Sequence, residues 1–269
     1  MRGPGDWDGA TYDRIAHPQA RWGRAVLDLL ELAGDERVLD AGCGSGRVTE
    51  QLLDRFPGIS VVALDAAPSM LAEARVRLAR FGDRVDFVEA DLSQPLPVEV
   101  PLDVPVDVIV STAAFHWVLD HDRLFAHLAG ALRPGGRLVA QCGGAGNIAS
   151  VVAAVAAVGP SFGGVDVPSP WLFATPAEAV SRLQRAGFID ADAWLHDEHT
   201  PFDSTDALRT FLATVVLRSH LDRLPEADRR PFLEAVTRLL PGTALDYVRL
   251  TMVAGRASSE SRREDSSPP

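Results

Sequence analysis

Apolar and polar positions in this 269-residue chain alternate between two kinds of stretch. Short, nearly continuous apolar runs occur at Arg37–Asp40, Ser60–Leu64, Val85–Glu89, Val106–Ser111 and Arg137–Gln141. Each has the length and β-branched content of a strand buried on both faces of a parallel sheet. Between them lie segments with helical periodicity: Val48–Phe56, Pro68–Arg80 capped by Gly82, and the segment after Asp120. Strand and helix in strict alternation predict a doubly wound α/β domain. Further on, Phe188–Leu195 and Tyr247–Ala254 read as two more strands. Ile148–Val158, Pro176–Gly187, Ser204–His220 and Glu226–Leu239 read as helices. The Pro-rich stretch Gln94–Pro105 reads as a loop. The pattern as a whole predicts a doubly wound, seven-stranded, mostly parallel sheet with a small helical cap.

Three parts follow from this reading. Residues 1–34 form an N-terminal segment whose Trp22, Val26, Leu29 and Leu30 share one helical face. Residues 35–255 form the main domain, with cap insertions at about 143–174 and 201–241. Residues 256–269 are Ser-rich and charged, the composition of a disordered tail.

The densest chemistry lies at the first strand-to-helix turn, Arg37-Val-Leu-Asp-Ala-Gly-Cys-Gly-Ser-Gly-Arg47. Glycines at 42, 44 and 46 permit positive φ and let a ligand approach the backbone, and the following helix start offers N–H groups. The second strand ends in an acid, Asp65, whose two oxygens suit the two hydroxyls of a ribose. The glycine register differs from the dinucleotide fingerprint, with Arg47 standing where its third glycine would be. A nicotinamide-dependent oxidoreductase is therefore disfavoured.

At these residues the chain resembles the class I S-adenosylmethionine (SAM) dependent methyltransferases. The resemblance runs in order through Asp40-x-Gly-x-Gly-x-Gly46, Asp65, Ala90-Asp91-Leu92 and Leu132-Arg-Pro-Gly-Gly136. Ala113-Ala-Phe-His-Trp-Val-Leu-Asp-His121, Pro170-Trp-Leu-Phe173 and Leu245-Asp-Tyr-Val-Arg-Leu250 are similar to the trans-aconitate methyltransferase branch. The resemblance implies SAM as cofactor and a contact set of Asp40, Gly42, Cys43, Gly44, Gly46, Asp65, Ala66, Met70, Ala90, Asp91, Leu92 and Thr112. Met70 equally fits a core position, and Asp91 equally fits a helix N-cap. That branch is expected to carry Asn and Gln near Thr112 and His116, and this departure leaves the acceptor open.

The aromatic-His-aromatic run ending at Trp117 should open onto the sheet edge where ligands bind in such folds. His116, Trp117 and Gln19 are the catalytic candidates. Tyr12, Trp171, Phe173, Phe211 and Arg218 are the acceptor-binding candidates, with Arg218 read as sharing the face of Leu208, Phe211 and Val215. Tyr12 and Trp22 also fit a purely adhesive role. His121 and His127 read as surface or capping residues.

A net charge of −11 argues against phosphate-backbone partners. The acceptor is thus expected to be a small molecule, with no nucleic acid and no membrane, in a monomer or homodimer. No metal-ligand spacing is present. The N-terminus lacks a signal-peptide core, and the longest apolar stretch is far short of the roughly 20 residues that span a bilayer. The resemblance implies that Cys43 and Cys142 end strands two places apart in the sheet, about 9 to 10 Å, too far for a disulfide. A cytoplasmic setting is expected. The resulting expectation is methyl transfer to a carboxylate oxygen of an organic acid. C-, N- or phenolic O-methylation with His116 as base, and a non-catalytic SAM-binding regulator, are the alternatives.

Overall fold

The computed structural model describes residues 17–97, 103–163 and 169–258, with backbone only for residues 17–21. Helix α1 (His17–Leu27) precedes β1 (Arg37–Ala41), α2 (Arg47–Arg55), β2 (Ser60–Asp65), α3 (Pro68–Leu78) and β3 (Val85–Glu89). There follow β4 (Val106–Thr112), α4 (His121–Ala131), β5 (Leu132–Gly143), α5 (Ala149–Val158), α6 (Pro176–Arg185) and β6 (Phe188–Pro201). The chain then runs through α7 (Thr205–Phe211), α8 (Arg218–Leu221), α9 (Glu226–Leu239) and β7 (Ala244–Arg256). The seven strands form one sheet in the order β3-β2-β1-β4-β5-β7-β6, with β7 antiparallel to both neighbours.

Successive strand side chains point to opposite faces, and both faces are covered. Leu39, Leu64, Ile109 and Leu138 pack with Leu124, Phe125 and Leu128 of α4 and Leu183 of α6. Their neighbours Val38, Val61, Val108 and Val139 pack on the other side with Val26 of α1, Leu52 of α2 and Leu71 and Leu78 of α3. This is the physical reason for the continuous apolar runs in the sequence.

A third cluster joins Trp22 to α5, α7, α8, α9 and the first half of β7. Its position follows from register. Gly143, the last residue of β5, pairs with Arg249, whereas Ala244–Val248 of β7 pair with β6 alone. The β6–β7 pair thus projects beyond the end of β5. The third cluster packs on that projection, at the edge where ligand sites of open α/β sheets lie.

Several element limits differ from the sequence expectation. β6 and β7 extend to Pro201 and from Ala244, because the projecting ladder incorporates polar residues that read as loop. The helix expected over 204–220 is broken: Leu212–Val216 is a π-helical turn, with the Leu217 N–H on the Leu212 carbonyl at 2.7 Å. One inserted residue rotates all that follows by about 100°, so Arg218 leaves the face predicted for it. His121 is not a surface residue; it is buried, with Nε2 3.0 Å from the Phe115 carbonyl. Cys43 and Cys142 are free and buried. Among the described residues no helix is long and apolar enough to cross a membrane, and no metal-binding cluster occurs. Tyr12, the side chain of Gln19, and most of the tail expected over 256–269 lie outside the described residues.

Candidate active site

The glycine turn is built largely from backbone. The N–H groups of Gly42 and Cys43 both donate to the Leu64 carbonyl, at 2.8 and 2.9 Å. This folds the end of β1 over the end of β2. Gly42 has φ of +86°, and a Cβ there would lie 2.3 Å from the Ala114 Cβ. The turn is therefore clamped against the loop after β4. Gly44, at φ +55°, differs: a Cβ there would meet nothing within 4 Å. Its surface faces open space, as a backbone that admits a ligand should. Gly46, also with positive φ, is the residue from which α2 starts.

Asp65 has a role that the sequence did not reveal. Its Oδ2 accepts the Gly44 N–H at 2.8 Å and its Oδ1 accepts the Ala67 N–H at 2.9 Å. The carboxylate thus fixes the glycine turn, while each oxygen retains a second lone pair for a ligand hydroxyl. Burial pushes its pKa up, against these two hydrogen bonds. Asp40 lies deeper, with 2% of its surface exposed and the Thr49 hydroxyl 2.6 Å from Oδ2. Burial raises its pKa to about 6, the nearby Asp65 adding to the shift and Thr49 opposing it. Asp40 therefore acts inside the turn, anchoring the start of α2.

The other cofactor candidates converge on this turn unevenly. Leu92 is buried, and its Cδ1 would lie 3.9 Å from a Cβ added at Gly42, on the side of Ala114. Asp91 caps no helix; its Oδ1 accepts the Ser93 N–H at 2.8 Å. The Ala90 N–H bonds the Asp65 carbonyl at 3.1 Å, which ties the β3 loop to the turn. Met70 is 4% exposed, Ala66 is exposed, and Cys43 is buried beneath the turn. Thr112 is half-buried, and its hydroxyl has no hydrogen-bond partner.

Immediately after Thr112 the chain makes a turn that an L-residue rarely adopts. Ala113 has φ of +60°, held by its N–H on the Gln141 carbonyl at 2.7 Å. Such a conformation costs of order 1 to 3 kcal/mol and persists only where the surroundings enforce it. It delivers Phe115 into the core against Phe125, and His116 and Trp117 toward the third cluster. The Leu172 N–H bonds the His116 carbonyl at 2.9 Å, bringing in Trp171 and Phe173. The rings form one array: His116 lies 5.3 Å from Trp117 and 6.0 Å from Phe173, Trp171 stacks on Phe173 at 5.7 Å, and His220 lies 5.3 Å from Trp171.

His116 is 8% exposed, and its Nδ1 accepts the Gly143 N–H at 3.4 Å. That bond requires the tautomer protonated at Nε2. Burial holds the imidazole pKa well below 6.5, with the charges of Arg249 and His121 adding to the effect. The ring is thus a neutral hydrogen-bond donor.

Two acceptor candidates stand outside this ring array. Phe211 is 1% exposed and packs 4.9 Å from Phe202, inside the third cluster. Arg218 pairs with Asp222 at 3.0 Å, with 33% of its side chain exposed. Conversely, Arg249 is only 1% exposed, with Nε 3.4 Å from the Gln141 Oε1 and the guanidinium 4.1 Å from the Trp22 ring. The sequence did carry a signal: Leu245, Tyr247, Arg249 and Thr251 alternate on one buried face of β7.

Comparison with known proteins agrees with this geometry. The family described as "Methyltransferase domain" matches residues 38–136. The chain is 30% identical to a trans-aconitate 2-methyltransferase from Methylobacterium radiotolerans, over 94% of this chain and 99% of that protein. It is 32% identical to a trans-aconitate 2-methyltransferase from Paracidovorax citrulli, over 87% of this chain and 88% of that protein. Among solved structures, phosphoethanolamine N-methyltransferase 2 from Haemonchus contortus, in complex with S-adenosyl-L-methionine, superposes with a TM-score of 0.59. At 19% identity, over 93% of this chain and 57% of that one, the likeness concerns the fold.

Proposed function

The chain belongs to the class I SAM-dependent methyltransferases, similar to their trans-aconitate methyltransferase branch, and we propose that it methylates a carboxylate oxygen of a small organic acid. Methyl transfer from SAM is the activity of the family. The choice of acceptor rests chiefly on one observation: His116 is a buried neutral imidazole whose Nδ1 already accepts a hydrogen bond.

SAM, when bound, supplies a methyl group on a positively charged sulfur, which makes the carbon electrophilic and the thioether a good leaving group. The groups suited to hold it are the open backbone at Gly44, the free lone pairs of Asp65 for the ribose, and Leu92 with the Asp91 loop for the base. Gly44 fits this role because space beside its backbone is open where a side chain would otherwise project.

A carboxylate is already a nucleophile at neutral pH, whereas a phenol or a carbon acid must lose a proton. For a carboxylate, the chain needs to align the acid and exclude water. His116 is suited to donate Nε2–H to one oxygen of the acid, leaving the other to attack. Trp117, Trp171 and Phe173 supply the dry walls, with Gln19 and Tyr12 of the N-terminal segment as further polar candidates. Helices α5 and α7 to α9 are read as a cap over this pocket. A base reading fits less well, because a ring with its pKa well below 6.5 accepts protons poorly at neutral pH.

The test is product analysis with SAM and a panel of acids, phenols and amines, beginning with trans-aconitate, the acid in the relatives' names. Methyl esters as products, at a rate flat from pH 6 to 8, are expected. Methylation confined to phenols or amines, with a rate rising through a histidine-like pKa, would overturn the reading.

A further inference from the structure

Acids differ in size and charge, and the donor at His116 does not by itself distinguish one acid from another. A second polar group in the same region does. Among the described residues Arg249 is the only arginine or lysine in the buried class, at 1% exposure. Its position is over-determined. Gln141 accepts from its Nε at 3.4 Å and in turn donates to the Thr251 hydroxyl at 3.2 Å. The Trp22 ring lies over the guanidinium at 4.1 Å, and Tyr247 supports Trp22 edge-on at 4.9 Å.

The backbone of Arg249 pairs with Gly143, the residue whose N–H meets His116. The charge of Arg249 is close enough to depress the pKa of His116 and to oppose the burial of Cys142. Both donors are thus tied to Gly143 at the end of β5, His116 from the β4 side and Arg249 from the β7 side.

We propose that Arg249, oriented by Gln141 and Trp22, is an anion subsite that binds a carboxylate of the acceptor. This deepens the carboxylate reading and rests on it. A guanidinium is a planar fork of donors that matches a carboxylate, and one already buried and oriented binds it with little screening by water. Ligand pockets of this kind are mostly apolar with few placed polar groups, and here Trp22 lies over Arg249 while Trp117 and Phe173 lie against His116, all three rings belonging to the third cluster. An acid with two or more carboxylates engages both donors: one group on Arg249, the other at His116 facing the methyl donor. At 1% exposure Arg249 is closed off from solvent, so the acid binds when the Trp22 ring above the guanidinium moves aside.

The experiment is isothermal titration of the full chain, loaded with S-adenosylhomocysteine, using trans-aconitate and 3-phenylpropionate as probes. Wild type is expected to bind at least one acid. Arg249→Gln should weaken that binding about thirtyfold, as loss of a charged hydrogen-bond donor does. Gln141→Glu, which places a competing carboxylate beside the guanidinium, should weaken it about tenfold. S-adenosylhomocysteine affinity should change less than about twofold, since nothing in the Gly42–Gly46 turn is touched. If wild type binds the acid and both variants bind it equally well, Arg249 is structural and the subsite is overturned while the carboxylate reading stands. A parallel fall in S-adenosylhomocysteine affinity also overturns it. If wild type binds neither acid and methylates only phenols or amines, the carboxylate reading falls and the subsite with it. Should Arg249→Gln fail to fold, Gln141→Glu decides.

Discussion

The two halves of this site are held in different ways. The glycine turn is fixed by backbone N–H groups from Gly42, Cys43 and Gly44 to acceptors on β2, the nearest strand. The proposed acceptor half is fixed by side chains from six separate stretches: Trp22, His116–Trp117, Gln141, Trp171–Phe173, His220 and Arg249. A backbone-built site tolerates little change but serves one invariant ligand. A side-chain-built site can be altered residue by residue, which is how one fold comes to act on many acceptors.

Gly42 is where the halves touch, and its substitution should have the largest effect. A Cβ would sit 2.3 Å from that of Ala114 and would force φ of +86° on an L-residue. Gly42→Val should cost about 3 kcal/mol or more and abolish both SAM binding and turnover. Urea unfolding together with SAM titration reads both effects. A variant that kept acceptor turnover while losing only SAM affinity would show that the halves are less coupled than the contact implies.

Acid pH should separate the halves through stability. His116, His121 and His220 all have pKa values lowered by burial, that of His220 to about 4. Each folded value lies below the unfolded one of about 6.5. The unfolded chain therefore takes up protons first, and stability falls as pH drops below about 6.5. Each such histidine contributes up to about 1.4 kcal/mol per pH unit in that window. Asp40 acts with the opposite sign: its pKa is raised to about 6, so protonation in the folded state stabilises the turn as pH falls below that value. Asp65, its pKa also raised by burial, acts with the same sign as Asp40, so three histidines against two carboxylates predict a net loss of stability between pH 7 and 5. His220→Phe should flatten the curve, and Asp40→Asn should steepen it. Urea midpoints at the two pH values check both slopes.

Asp65→Ala should act on one half alone. It removes the acceptor for two backbone N–H groups and the proposed ribose contact, so SAM affinity should fall by about 10 to 100-fold. Stability should fall by about 1 to 2 kcal/mol. Acid binding at the other half, measured by titration, should change little. Wild-type SAM affinity would remove Asp65 from the cofactor site and leave it only the turn.

The contrast also explains what could be read from the sequence. The sheet and the glycine turn follow from local pattern, since β1, its turn and α2 are contiguous. The second role of Asp65 was hidden because it depends on how two turns meet. Trp117 could be singled out by its position after β4, and Trp171 and Phe173 by the motif they share with the trans-aconitate branch. Arg249 was passed over because its partners Gln141 and Trp22 are remote in sequence. Arg218 was preferred because a helical face was projected through Leu212–Val216, where a π-turn breaks the phase. The N-terminal candidates Tyr12 and Gln19 depend on parts outside the described residues.

Arg218 provides the smallest expected effect and the sharpest choice between the two anion anchors. Its guanidinium meets Asp222 four residues on, at 3.0 Å, with about a third of the side chain exposed. Pairs of this kind contribute about 0.3 to 0.5 kcal/mol, reduced further by salt. An anion there would meet a guanidinium screened by water and already paired with Asp222, whereas Arg249 is held away from water at 1% exposure. Arg218→Ala should therefore shift stability by no more than about 0.5 kcal/mol and the KM for an acid acceptor by less than about twofold. Steady-state kinetics with increasing salt tests this directly. A tenfold rise in KM, without change in kcat or SAM affinity, would return the anchoring role to Arg218 and place the second carboxylate at α8 instead of β7.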